Sequence, residues 1–243
     1  MRELLAFGEN TYSQAGEDGI LAEVCRRLDI HKGVYVDIGA HDGRFMSNTE
    51  RLRECGWRGV NIDCNEQRLA ELRENLARFP GNTALCAEVA GENAGSLVQW
   101  NGVDFVDIDV DGPELQIWRA IPDDGPTVTL MEIDPLDKLG DLREHSAEKR
   151  LSSFSSMVAL GEAKGYRLVS YTGLNCLFAK ADLASVVLSP VPDAASLYLD
   201  GAASTYYRQH VKVRSDARSK LRCWSQSYSS GFLQAKKWSH AHS

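Results

Sequence analysis

An apolar run that ends in an acid and breaks at once into a glycine turn restricts what this chain can become. In Val34-Tyr35-Val36-Asp37-Ile38-Gly39-Ala40-His41-Asp42-Gly43-Arg44-Phe45 the apolar run reads as a strand and the two glycines, four apart, as a tight turn. The residues after the turn read as a helix to about Cys55. Strand, turn and helix make the first unit of a doubly wound α/β sheet, whose ligands sit beyond the carboxyl ends of the strands. Gly39 and Gly43 let backbone approach a ligand where a Cβ would clash. A turn that cradles a pyrophosphate reads G-x-G-x-x-G. This one reads D-I-G-A-H-D-G. Its acids would repel a pyrophosphate and accept bonds from a cationic amino group.

The rest of the chain repeats the unit. Ser13, with Glu17 nearby, suits the start of a helix that carries Ile20, Leu21, Val24, Cys25 and Leu28 on one face. Residues 59–63 (GVNID) form a second strand ending in an acid, and Leu69, Leu72, Leu76 and Phe79 build its covering helix. Residues 82–90 read as a third strand, 96–100 as a short strand or hairpin arm, and 103–109 as a fourth. Pro113 opens a helix with Leu115, Ile117, Trp118 and Ile121. Residues 127–133 are a fifth strand, followed by a polar loop of about fifteen residues suited to a lid or substrate loop. A helix over 152–164 precedes two strands, 166–170 and 175–179, too close together for a crossover helix and therefore antiparallel. The expected fold is α/β and Rossmann-like: seven strands, mostly parallel, helices on both faces, and a C-terminal antiparallel hairpin.

Length suits one such core with appendages: an N-terminal helical segment (1–30), the core (31–185) and an extension (186–243). No apolar run approaches the roughly 20 residues that span a bilayer. The N-terminus lacks the apolar stretch of a secretory signal. Cysteines at 25, 55, 64, 86, 176 and 223 show no metal-ligand spacing and read as reduced core thiols, which points to the cytoplasm. Charge is divided sharply. Residues 1–200 carry 19 Lys and Arg against 33 Asp and Glu, whereas 201–243 carry 8 against 1. The basic tail either folds back on the acidic body or meets an anionic partner such as nucleic acid.

Several separate motifs carry a family resemblance. They are S-Q-A-G-E-D-G-I-L before the first strand, V-D-I-G-A-H-D-G, I-D-V-D-G with I-W-R-A in the next helix, L-M-E-I-D-P, and K-G-Y-R-L-V…N-C-L-F-A-K-A-D-L. In this order, from about Tyr12 to Leu183, the chain resembles the FkbM-like branch of class I S-adenosylmethionine-dependent methyltransferases. The resemblance implies that S-adenosylmethionine lies with its methionine end on Asp37, Gly39, Ala40 and Gly43. It implies the ribose on Asp63 and the adenine near Cys64, Ala87 and Glu88, with Ser13 and Gln14 closing the site. Asp111 stands where many members have Glu, and Asp134 where related sequences often have Asn.

An acid at the end of the second strand accepts two hydrogen bonds from a ribose diol, so Asp63 also fits that role by residue type. Asp109, Asp111, Glu132 and Asp134 cluster at the ends of strands four and five. Four unpaired carboxylates there repel one another, so hydrogen bonds spread them, a proton sits on one, or a cation lies among them. Asp109, Asp111 and Glu132 are the expected catalytic acids, with Asp109 also at the cofactor. Asp109, Glu132 and Asp134 are the candidate ligands of Mg²⁺ or another divalent cation, a layout similar to metal-dependent catechol O-methyltransferases. In the plainer alternative Asp107 is buried within its strand and Asp111 caps the Pro113 helix. His41 and His145 are further candidate bases. The expected activity is methyl transfer to a hydroxyl of a sugar, glycan or other polyhydroxylated small molecule. The alternative is a nucleic-acid-directed or non-catalytic module that uses the basic tail. The strand ends carry acids and no lysine, which counts against RNA as the acceptor.

Overall fold

The computed structural model describes residues 4–148 and 150–204. A 3₁₀ turn at Leu4–Phe7 precedes α1 (Glu17–Arg27), β1 (Val34–Ile38), α2 (Glu50–Glu54), β2 (Arg58–Asp63), α3 (Glu66–Leu76) and β3 (Asn82–Cys86). Then follow α4 (Ala94–Leu97), β4 (Phe105–Ile108), α5 (Glu114–Ala120), β5 (Val128–Glu132), α6 (Phe154–Ala163), β6 (Tyr166–Tyr171) and β7 (Asn175–Lys180). Two helices close the described chain, α7 (Ala184–Val187) and α8 (Ala194–Ala202).

The strands make one sheet in the order β3-β2-β1-β4-β5-β7-β6. β7 runs antiparallel to both neighbours and every other pairing is parallel. This is the Rossmann-like, seven-stranded and mostly parallel sheet with a C-terminal antiparallel hairpin that the sequence led us to expect. The order reverses direction between β1 and β4, which places the topological switch point at their carboxyl ends.

Alternation along the central strands feeds two cores. Val36, Ile38, Val106, Ile108 and Met131 face a layer built around Leu115, Ile117, Trp118, Phe154 and Met157 of α5 and α6. Tyr35, Phe105, Val128 and Leu130 face the opposite layer, with Ile20, Leu21 and Val24 of α1. Trp118 is the hub of the first layer, its ring 4.9 Å from Phe178 and 5.5 Å from Tyr166. Among the described residues no helix is long and apolar enough to cross a membrane.

Several local expectations fail for identifiable reasons. The helix expected to run from the glycine turn to Cys55 is reduced to α2. His41 (φ 52°) and Met46 (φ 54°) are left-handed, and the Ser47 hydroxyl takes the backbone N–H groups of Thr49 and Glu50. Local side-chain bonds thus outcompete the first helical turns. The third strand stops at Cys86, because Asn93 accepts from the Ala90 N–H and turns the chain into α4. The segment 96–100 is the end of α4 and a loop, with the Trp100 indole N–H donating to Ala94 O at 3.0 Å. α8, beyond Pro190, was not anticipated. Asp193 caps it, and Tyr198 stacks on Tyr171 with centroids 5.9 Å apart. The cysteines are free but not uniformly core: Cys176 is buried, Cys25 half-buried, and Cys55, Cys64 and Cys86 are exposed. Cys223 and nearly all of the basic tail lie outside the described residues.

Candidate functional site

The turn after β1 is tied down on both sides. The N–H groups of Gly39 and Ala40 both donate to Ile62 O at 2.9 Å, and Gly43 N–H donates to Ala40 O at 2.7 Å. Gly39 has φ 96°, and a Cβ there would lie 1.7 Å from the carbonyl oxygen of Asp109. At Gly39 the close approach expected for a ligand is therefore occupied by the backbone just after β4. Asp63 accepts from the His41 N–H (2.9 Å) with one carboxylate oxygen and from the Asn65 N–H (2.8 Å) with the other. Each of those oxygens keeps a second acceptor position. Burial would raise Asp42, but His41 and the N–H groups of Phe45 and Arg44 outweigh it and hold its carboxyl at about 2.

Acids crowd the switch point. Asp37 and Asp107 are register partners on β1 and β4, exposed by only 3% and 4%. Burial pushes both up, most strongly Asp107, which also feels Asp37 and Asp109. Burial and the neighbouring Glu114 and Asp37 push Asp109 up to about 7. Glu132, at the end of β5, is pushed well above the usual carboxylate range by burial and then by Asp109 and Glu114. One of its oxygens, Oε2, is buried with no hydrogen-bond partner. Such a set of carboxylates holds protons or a cation.

The geometry selects among the expected acids. Carboxylate oxygens of Asp109, Asp111 and Glu132 lie within 4.8 Å of one another. Asp134 does not complete that group; its carboxylate accepts from Arg143 at 3.0 Å, and Arg143 also pairs with Asp137. The same arginine bonds Leu151 O, so the segment after β5 is stapled to its own base. Asp111 lies just before α5. It sits at φ 64° and pairs with Arg150, whose Nε donates to Asp111 O at 2.9 Å. Glu114, the first residue of α5, ties down the loop before the helix, accepting from the N–H groups of Val110 (3.2 Å) and Gly112 (2.7 Å). His145 joins this corner: a Cβ on Gly112 would meet its ring at 3.1 Å. His41 lies across the sheet, against Asp42 and Phe45.

The N-terminal S-Q-A-G-E-D segment reaches the same edge. Ser13 and Asp18, not Ser13 and Glu17, make the reciprocal pair that starts α1: Ser13 N–H donates to Asp18 Oδ2 (3.0 Å) and Asp18 N–H to Ser13 Oγ (3.1 Å). Glu17, 1% exposed, instead accepts from Thr172 Oγ1 (3.1 Å) and Asn175 Nδ2 (2.8 Å) beside β7. Its second oxygen accepts from the Ala15 N–H at 2.7 Å. Gln14 is half-buried, and its carbonyl accepts from Asn10. Cys64 and Glu88 are exposed at the ends of β2 and β3, with Ala87 N–H donating to Asp63 O at 3.2 Å. The sequence reading missed Glu17, Glu114 and Arg150. Only Glu114 left a signal, as an acid in the first turn after a proline.

No family model and no curated protein sequence matches the chain. Solved structures with a similar fold include an S-adenosylmethionine-dependent methyltransferase from Aquifex aeolicus (14% identity, TM-score 0.46, covering 67% of this chain and 88% of that one). Others are the Methanococcus jannaschii fibrillarin pre-rRNA processing protein (15%, 0.45, 62% and 67%) and precorrin-6y C5,15-methyltransferase from Geobacter metallireducens (18%, 0.42, 71% and 91%). The sheet order and register, not these distant likenesses, are the ground for the fold.

Proposed function

We propose that the protein is an S-adenosylmethionine-dependent O-methyltransferase of the FkbM-like kind, acting on a hydroxyl of a sugar, glycan or other polyhydroxylated small molecule. The observation that carries the reading is the crowding of buried acids at the switch point: Asp37 and Asp107 are register partners, and Asp109 and Glu132 lie with Asp111 in one carboxylate group, all four with raised affinity for protons. Such an edge repels phosphates and suits a cationic ligand. Bound S-adenosylmethionine supplies an electrophilic methyl group on a sulfonium. In this reading the Asp37–Gly43 turn holds its amino-acid end and Asp63 offers its free acceptor positions to the ribose. Cys64 and Glu88 border the adenine, and Ser13 and Gln14 lie in the segment that covers the site.

Asp109 is the acid we assign to the acceptor. A group titrating near 7 accepts a hydroxyl proton as the bond to carbon forms. Asp111 and Glu132 orient the acceptor beside it. Binding of S-adenosylhomocysteine, followed by isothermal titration, tests the reading. Asp63→Ala should weaken it by about 1–3 kcal/mol. Asp109→Asn should keep the cofactor and lose on the order of 10²-fold in turnover. A wild-type chain that binds neither form of the cofactor at millimolar concentration sinks the proposal.

The buried, unpartnered Oε2 of Glu132 favours a second version of the same site. Asp109, Asp111 and Glu132 would hold a divalent cation such as Mg²⁺, in place of the expected Asp109, Glu132 and Asp134. Activity that a chelator abolishes and Mg²⁺ restores supports it, and chelator-insensitive activity leaves Asp109 as base alone.

A further inference from the structure

The acids Asp37 and Asp107 lie side by side on adjacent strands, and the two buried residues that touch them are consecutive in the chain. Asn48 Nδ2 donates to Asp107 Oδ2 at 2.9 Å, and Thr49 Oγ1 donates to Asp37 Oδ2 at 2.5 Å. Both come from the segment between the glycine turn and α2, where a helix was expected. The Thr49 hydroxyl has a single proton. Its other contacts must therefore be acceptances: from Arg53 Nη1 at 2.7 Å and from Ser47 Oγ at 3.2 Å. Arg53 is fully buried and also donates to Glu50 Oε2 (2.8 Å), Asn61 Oδ1 (2.8 Å) and the carbonyl oxygen of Gly43. One guanidinium thus grips the far end of the turn directly and its near end through Thr49.

We propose that Thr49 is a positioning residue: with its proton directed by Arg53, it aligns the Asp37 carboxylate under the Gly39–Gly43 turn for a cationic ligand and opposes its protonation. The proposal rests on the cofactor reading for the identity of that ligand, but the wiring itself does not. A buried carboxylate beside a second one has strong reasons to take up a proton. Asp63 of β2, Asp107 of β4 and Asp109 just beyond β4 all oppose its charge. Arg53 of α2 and the Tyr35 phenol of its own strand complete its surroundings. Thr49 and Arg53 are the groups that favour the charged form.

Thr49→Val keeps the shape and removes the donor, whereas Thr49→Ser restores it. Two measurements on the full chain separate the wiring from the cofactor. The first is carboxyl ¹³C NMR of aspartate-labelled protein without ligand, with the Asp37 signal assigned by Asp37→Asn. The second is calorimetric titration with S-adenosylhomocysteine across pH. The Asp37 signal should titrate at higher pH in Thr49→Val than in wild type and return in Thr49→Ser. Affinity at pH 7 should fall about 10- to 100-fold in Thr49→Val, the scale of a lost hydrogen bond to a charged group, and recover to within about 2-fold in Thr49→Ser. The acid limb of the affinity profile should move to higher pH with the Asp37 signal. If Thr49→Val does not fold, Thr49→Cys, a weak donor of similar size, takes its place. An unchanged Asp37 titration in the valine or cysteine variant overturns the proposal. So does equal impairment of Thr49→Ser, which marks a packing role. Absence of binding by the wild type removes the cofactor reading, while the NMR measurement still decides the wiring.

Discussion

Glu114 shows how a single side chain can serve backbone and site at once. One oxygen fixes the N–H groups of Val110 and Gly112, and the other, Oε2, is buried without a partner in the field of Asp109 and Glu132. Burial pushes it up to about 7 despite those N–H groups. A carboxyl raised on folding contributes stability that is complete below its unfolded value and lost as pH rises through the folded one. The ligand-free protein should therefore lose stability between about pH 4 and 7 at this cluster. Denaturation at pH 5 and pH 8 measures the slope, and Glu114→Gln should flatten it. Glu23 has the opposite sign. Arg26 and then Arg27 outweigh its burial and hold it at about 2, so its contribution stands above the usual carboxylate range and fades on acidification toward 2. Gly39 is the least replaceable residue of the turn. Gly39→Ala adds left-handed strain to a collision with Asp109 O, and should cost about 3 kcal/mol or more in chemical denaturation.

At the scale of elements, long apolar segments were legible and short polar ones were not. The central strands follow from periodicity, because β1, β4 and β5 bury runs rich in branched and aromatic residues, whereas β3 buries none of its residues and rests on the repeat of the βα unit. The antiparallel hairpin followed from loop length alone. By contrast α2 was over-read: nothing in the spacing of S-N-T-E-R-L-R shows that Ser47, Asn48 and Thr49 spend their side chains on the turn and on the strand acids. The same holds at the site. The strand-end acids were visible because a strand's last residue is fixed by the pattern. Glu17 and Arg150 were not, since their partners lie far away in sequence. The α5–α6 layer has a measurable weak point. Trp118→Ala would leave a void between Phe178 and Tyr166 and should destabilise by about 3–5 kcal/mol, read from urea unfolding.

At the scale of the molecule, an acidic body carries its candidate chemistry on one edge of the sheet, and all the residues assigned to it lie between 13 and 150. A chain ending after Ser204 should therefore bind S-adenosylhomocysteine as the full chain does, which calorimetry on both would check. The bond that ties the first helix to the last strand sets an order of events. Glu17 waits for Thr172 and Asn175, 155 and 158 residues later. At ribosomal speed that separation is about 8 to 30 s of synthesis. Throughout that interval the turn after β1 can exist, but Glu17 has neither of these partners. In the proposed site the segment around Ser13 and Gln14 is anchored last, and a chain interrupted before residue 172 lacks the partners of Glu17.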